Sequence, residues 1–158
     1  MKSETAIQDH YPEAVAHCYG CGRLNHLGLG LRTFWDGDGT VSRYRPRPEH
    51  TAIPGFVYGG LIASLVDCHG TGTAAAAMYR AAAREWGSDP TFRFVTASLQ
   101  VDYLRPTPLD QELEIRGQVE ETTARRVTVT AEVWAGAVMT ARGRVVAVQM
   151  PDGFGRAP

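Results

Sequence analysis

The stretch from Pro54 to Met78 constrains this chain more than any other: paired glycines open a helix of small residues that carries a single acid, Asp67. Gly59 and Gly60 permit a tight turn, and the residues after them predict a helix from Gly60 to about Arg84, kept slim by Ala63, Ala74–Ala77 and Ala81–Ala83. A slim helix lets a sheet wrap closely around it. Gly70 and Gly72 each cost on the order of 1 kcal/mol in a helix interior, so they predict a close backbone approach or a bend near Asp67. First-turn amides have no intrahelical partner and sit at the positive end of the macrodipole, so those of Gly59 and Gly60 are candidates to stabilise a developing oxyanion. Asp67 stands eight residues beyond Gly59, roughly 12 Å along the axis at about 1.5 Å per residue. One carbonyl cannot touch both groups. If they serve one reaction, Asp67 comes from a second copy of the chain running antiparallel across a two-fold axis, which makes a dimer with two shared sites. Without that chemistry, the stretch is a glycine-started core helix with one capped or paired acid.

Beyond Gly87-Ser88-Asp89-Pro90 the period changes to two. Val95, Ala97, Leu99, Val101 and Tyr103 alternate with Thr96, Ser98, Gln100 and Asp102, the pattern of a strand with one apolar face. Further strands are expected at Gln111 to Glu121, Arg125 to Trp134 and Ala137 to Gln149, and their short connections make them antiparallel neighbours. Before the helix, Leu27 to Trp35 and Thr40 to Arg47 read as a hairpin joined by Asp36-Gly37-Asp38-Gly39. The plan is α+β, a single antiparallel sheet around one long helix. Residues 1–16 form an arm, loose or a short amphipathic turn; 17–150 form the domain; 151–158 form an unstructured tail.

The 158 residues suffice for one core and are short for two domains, and a hydrophobic content of 44% suits a globular fold. A net charge of −1 argues against a broad nucleic-acid footprint. The amino terminus lacks the apolar run of a signal peptide, and Asp67, His69 and Arg80 interrupt the helix, so no membrane span is expected and the chain reads as cytoplasmic. Three cysteines are no disulfide framework. Cys18-x-x-Cys21, flanked by His17 and His26, is half of a zinc pattern without its second half; a structural turn is the reading taken, with no metal, and Cys68 is a small apolar filler in the helix. His69, two residues from Asp67, lies on another side of the helix and reads as a core or interface histidine. Glu49 and His50 are adjacent and rarely pair in that arrangement, so a solvated loop is expected.

Val57-Tyr58-Gly59-Gly60 followed by Asp67 resembles the signature of hotdog-fold acyl-CoA thioesterases of the phenylacetate-degradation (PaaI-like) type, whose usual form is His-Gly-Gly and then the acid. The Cys-aromatic-Gly-Cys-Gly stretch at Cys18 and the Tyr103-Leu104-Arg105-Pro106-Thr107-Pro108-Leu109 segment resemble the same group, so the likeness runs from about Cys18 to Met150. It implies a hotdog domain and an acyl-CoA hydrolase releasing free coenzyme A and a carboxylic acid, with coenzyme A entering as part of the substrate and no other cofactor. The oxyanion-hole amide falls on Gly59, with Gly60 in the same turn, and the carboxylate, general base or nucleophile, on Asp67. The Ser or Thr that helps place water falls on Thr96, and Arg105, Arg125 and Arg126 stand where such proteins meet the nucleotide and phosphates of coenzyme A. Tyr58 is the departure. It leaves the Gly59 amide available but is no histidine base, so a positional role is expected of it. The partners implied are a small-molecule acyl-CoA and a second copy, as homodimer or dimer-based tetramer, with no nucleic acid and no membrane. Two other readings stand beside hydrolysis: an acyl-CoA-binding sensor or assembly protein that kept the pocket without turnover, and a hydratase, which needs an acid and a histidine placed together.

Overall fold

A computed structural model of the chain, describing residues 4–151 and Phe154, shows six strands and one long α-helix. They are β1 (Thr33–Asp36), β2 (Gly39–Tyr44), α1 (Gly59–Ala81), β3 (Phe94–Tyr103), β4 (Leu113–Thr122), β5 (Arg126–Ala135) and β6 (Val138–Gln149). The strands form one antiparallel sheet in the order β1-β2-β4-β5-β6-β3, which packs against α1. This is the α+β hotdog arrangement. Residues 1–3 of the expected arm, and 152, 153 and 155–158 of the expected tail, lie outside the described residues.

The boundaries differ from the periodicity in places with local causes. β1 begins at Thr33 rather than Leu27 because the preceding residues pair with the cysteine turn: the Leu29 amide donates to Tyr19 O (2.7 Å) and Leu31 to Gly20 O (2.9 Å). The hairpin turns on Gly37, whose φ of 63° suits glycine. α1 stops at Ala81, and Ala83 adopts the left-handed region at φ 49°.

α1 has no single apolar stripe because it is covered on two sides. Leu61, Leu65 and Val66 are fully buried and share one core with Ile115, Val129, Val133 and Val145 of the sheet. Gly70 and Gly72 answer to close approach. A Cβ at Gly70 would meet Val145 Cγ2 at 2.5 Å, and one at Gly72 would meet the Gln8 side chain at 3.1 Å. The second contact shows that the arm is docked from Ala6 on: Ile7–His10 is a 3-10 turn, and Ala6, Ile7 and Gln8 are buried. Gln8 fixes it by donating Nε2–H to Thr33 Oγ1 (3.1 Å) and accepting the Thr33 amide (2.9 Å).

β3 is an edge strand carrying a bulge. Thr96 pairs with Ala147 but Ser98 with Val146, so Ala97 is an extra residue. The bulge inverts the alternation: Thr96 faces the helix together with Leu99, Val101 and Tyr103, opposite Ala147, Val145, Gly143 and Ala141 of β6. The regular alternation read from the sequence puts Thr96 and Tyr103 on opposite faces. One inserted residue brings both onto α1.

Candidate active site

The first turn of α1 borders one cavity. Tyr58 is the N-cap, extended at φ −72° and ψ 144° with no side-chain cap, so Gly59 and Gly60 occupy the first two helical positions, where amides lack intrahelical acceptors. Two tyrosine rings flank them. A Cβ on Gly60 would run into the Tyr58 ring, and a Cβ on Gly59 would stand 3.1 Å from the Tyr103 ring. The Tyr103 hydroxyl donates to Gly59 O (2.8 Å), tying the helix start to the end of β3. Gly59, Gly60, Tyr103 and Arg105 line a cavity of about 530 Å³.

Asp67 borders a different cavity, of about 390 Å³, lined mainly by apolar groups such as Ile7, Tyr79 and Phe94. The Thr96 hydroxyl donates to Asp67 Oδ1. Burial raises the carboxyl above its ordinary range, the Thr96 hydrogen bond opposes this, and the nearby Cys18 adds to it. Asp67 is therefore a stronger base than a solvated aspartate, held by a hydroxyl beside apolar space. The two cavities share no lining residue within the chain.

The structure thus joins Asp67 to Thr96, and Gly59 to Gly60, Tyr58 and Arg105, in two separate places. Arg125 and Arg126 border neither cavity. They stand at the start of β5, at the Thr96 end of the sheet, where Arg126 pairs with Glu121 (3.4 Å). His69 is fully buried on the sheet side, with Nδ1 2.8 Å from Ser42 Oγ and Nε2 3.0 Å from Thr40 Oγ1. It is a core histidine and does not face Asp67. His50 corrects the expectation of a solvated loop. It is buried in the 3-10 turn Pro48–His50, accepts the Arg47 amide at Nδ1 (3.1 Å), and its carbonyl accepts the Tyr58 amide, while Glu49 pairs with Arg47 instead.

Two groups escaped the sequence reading. Tyr103 was legible as the end of a strand, but its hydrogen bond to Gly59 spans 44 positions and depends on the Ala97 bulge. Cys68 meets Cys18 at 3.7 Å between sulfurs, with Cys21 beside them. Nothing local to Cys68 signals that contact, since the helix must first lie across the cysteine turn.

Residues 54–142 match the family model described as the Thioesterase superfamily. A protein structure from Shewanella loihica PV-4, described as a thioesterase superfamily protein, is 45% identical, covering 89% of this chain and 100% of that one with a TM-score of 0.68. The acyl-coenzyme A thioesterase THEM4 of Xenopus laevis is 31% identical over 93 residues, which are 59% of this chain and 36% of that protein's length. The PaaI protein of the E. coli phenylacetic acid degradation operon shares the fold at 16% identity, covering 78% of this chain and 81% of that one with a TM-score of 0.63.

Proposed function

This chain belongs to the Thioesterase superfamily, and from that premise we propose that it hydrolyses an acyl-CoA. The Gly59 amide, with Gly60 in the same turn, polarises the thioester carbonyl and binds the oxyanion as it forms. Asp67, oriented by Thr96, takes a proton from water as the water oxygen attacks the carbonyl carbon, or attacks that carbon itself. The C–S bond then breaks and the thiolate leaves as free coenzyme A, taking up the proton that Asp67 removed from water; where Asp67 itself attacks, water then hydrolyses the mixed anhydride, and either route releases the carboxylic acid and restores Asp67. Arg105, Arg125 and Arg126 offer planar forks of donors to the phosphates of coenzyme A. The observation that carries the reading is the hydroxyl-held, half-buried carboxylate of Asp67 facing an apolar cavity. Three free thiols suit a reducing, cytoplasmic setting.

The site is completed by a second copy of the chain. Asp67 and Gly59 open into separate cavities, and β3 presents ten residues along an edge whose side chains from Ala97 to Gln100 are exposed. An unpaired edge is a template for another strand. Two β3 edges paired antiparallel about a two-fold axis at Gln100, with the Ala97 bulge taking up the extra position, set Thr96 of each copy against Tyr103 of the other. Thr96 is bonded to Asp67 and Tyr103 to Gly59, so that one pairing delivers the acid of each protomer to the glycine turn of its partner. It also covers Leu99, which is 39% exposed on the helix side of the sheet.

Subunit mixing tests both halves of this reading, with an acyl-CoA panel and release of free thiol as the assay. Gly59→Pro removes the amide at the first helical position, where proline is tolerated, and Asp67→Asn removes the base. Each folded parent should be inactive, and a fully exchanged equal mixture should regain about a quarter of wild-type turnover, since half the dimers carry one intact site of two. No recovery after demonstrated exchange means the site lies within one chain.

Tyr58 supports a second reading, an acyl-CoA sensor without turnover, because it replaces the histidine usual in similar proteins. Its ring lies over Gly60 and it is 41% exposed, which favours a positional role. Tyr58→Phe should keep most of kcat, and Tyr58→Ala should chiefly alter acyl preference. Loss of turnover in Tyr58→Phe at unchanged Tm and coenzyme A binding would put the hydroxyl in the chemistry.

A further inference from the structure

Hydrolysis makes no use of the cysteines beside Asp67. Cys18 and Cys21 come from the turn that precedes β1, and Cys68 comes from the middle of α1. Their sulfurs all lie within 4.8 Å of one another, with Cys18 and Cys68 at 3.7 Å. Cys21 and Cys68 are each 6% exposed, Cys18 is open to solvent, and all three border the Asp67 cavity.

The turn is shaped to make this meeting. A Cβ at Gly20 would run into Cys68 Sγ, so only glycine lets the turn lie this close to α1. At Gly22 a Cβ would stand 2.5 Å from the Cys18 amide nitrogen and 2.6 Å from Ala16 O, which keeps the turn wound tightly between the two cysteines. The Gly22 amide closes it on Cys18 O (2.8 Å), and Gly20 O and Tyr19 O hold the following segment. Apolar filling does not call for three sulfurs in mutual reach.

We propose that Cys18, Cys21 and Cys68 form a three-thiolate zinc site that clamps the N-terminal turn to α1 at the wall of the cavity. Zinc–sulfur bonds of about 2.3 Å in a tetrahedral site set sulfurs about 3.8 Å apart, so the Cys18–Cys68 pair needs almost no movement and Cys21 about 1 Å or less. Thiolates select zinc or copper(I) over magnesium, calcium or manganese. Zinc(II) with three thiolates carries a net charge of −1 where copper(I) carries −2, and the smaller charge is easier to hold beside a half-buried carboxylate. The fourth coordination position is open to the cavity and takes water or a solute oxygen. The clamp does not depend on the hydrolysis reading.

Cobalt(II) titration of the full-length chain, reduced and kept in a non-thiol phosphine, tests the site directly. One cobalt per chain should give the near-ultraviolet thiolate-to-cobalt charge-transfer band and the visible bands of a tetrahedral site, and one equivalent of zinc should erase both and raise Tm. Cys18→Ser, at an exposed position, should fold normally, lose about a third of the charge-transfer intensity and weaken zinc binding tenfold or more. Cys21→Ser and Cys68→Ser should do the same, and if either fails to fold, Cys18→Ser alone decides. Absence of the charge-transfer band in the reduced wild-type chain, or a band left at full intensity by Cys18→Ser, overturns the site.

Discussion

Asp67→Asn should lower kcat by about 10²-fold or more, roughly 2.7 kcal/mol of barrier, while the chain folds as before. The substitution is close to isosteric, and the amide oxygen can still accept the Thr96 hydroxyl. Burial disfavours the charged carboxylate, so a neutral amide in its place should leave Tm unchanged or slightly higher. On the proposed reading substrate binding rests on the glycine turn, the apolar cavity and the arginines, so Kd for a non-hydrolysable coenzyme A thioether should move little. This separates loss of chemistry from loss of structure in one variant. Thiol release measured beside a thermal melt checks it, and turnover within a few fold of wild type in the folded variant removes Asp67 from the mechanism. Thr96→Val should act in the same direction and less strongly, since it frees the carboxylate to rotate without abolishing it.

Acid should destabilise this protein in part through His69, by on the order of 5 kcal/mol once the pH has fallen through the whole window. The ring is completely buried, and desolvation alone lowers its pKa from 6.5 to about 3. The side chains that meet it are the hydroxyls of Thr40 and Ser42, and Gly117 of β4 approaches so closely that a Cβ there would collide with the ring; none of these carries a charge. In the unfolded chain His69 takes a proton near its ordinary value, whereas in the folded chain it stays neutral. The unfolded state therefore binds the extra proton between pH 6.5 and about 3, and stability falls through that window as pH falls, at up to about 1.4 kcal/mol per unit. Above it the contribution is complete. His69→Leu should erase this limb, and at neutral pH should itself cost roughly 1–3 kcal/mol by taking one partner from each of two buried hydroxyls. Urea unfolding of both proteins across the range checks the difference. A His69 imidazole that titrates near 6.5 by NMR in the folded protein would sink the account.

Features that depend on local chemistry can be read along the chain. Small residues after Gly59-Gly60 specify one slim helix, period-two segments specify the strands, and their short connections specify antiparallel neighbours, so the α+β plan was legible without coordinates. The glycine turn and Asp67 were legible as candidate groups for the same kind of reason: each is an unusual residue choice in its own segment, and their axial spacing along α1 follows from helix rise alone. Tertiary structure decided which distant groups meet. The strand order puts β3 beside β6 and leaves it as an edge, which no local pattern encodes. The extra residue at Ala97 turns Thr96 toward Asp67 and Tyr103 toward Gly59, because a bulge changes the face of every residue beyond it while barely marking the sequence. Cys68 joins Cys18 and Cys21 across 50 positions only once α1 lies on the cysteine turn, and Gly20, an ordinary turn glycine in the sequence, is what permits that distance. Side-chain periodicity reports which way a residue points within its own element. What it points at is set by packing between elements, and that is why the pairs that make this site appear only in the folded chain.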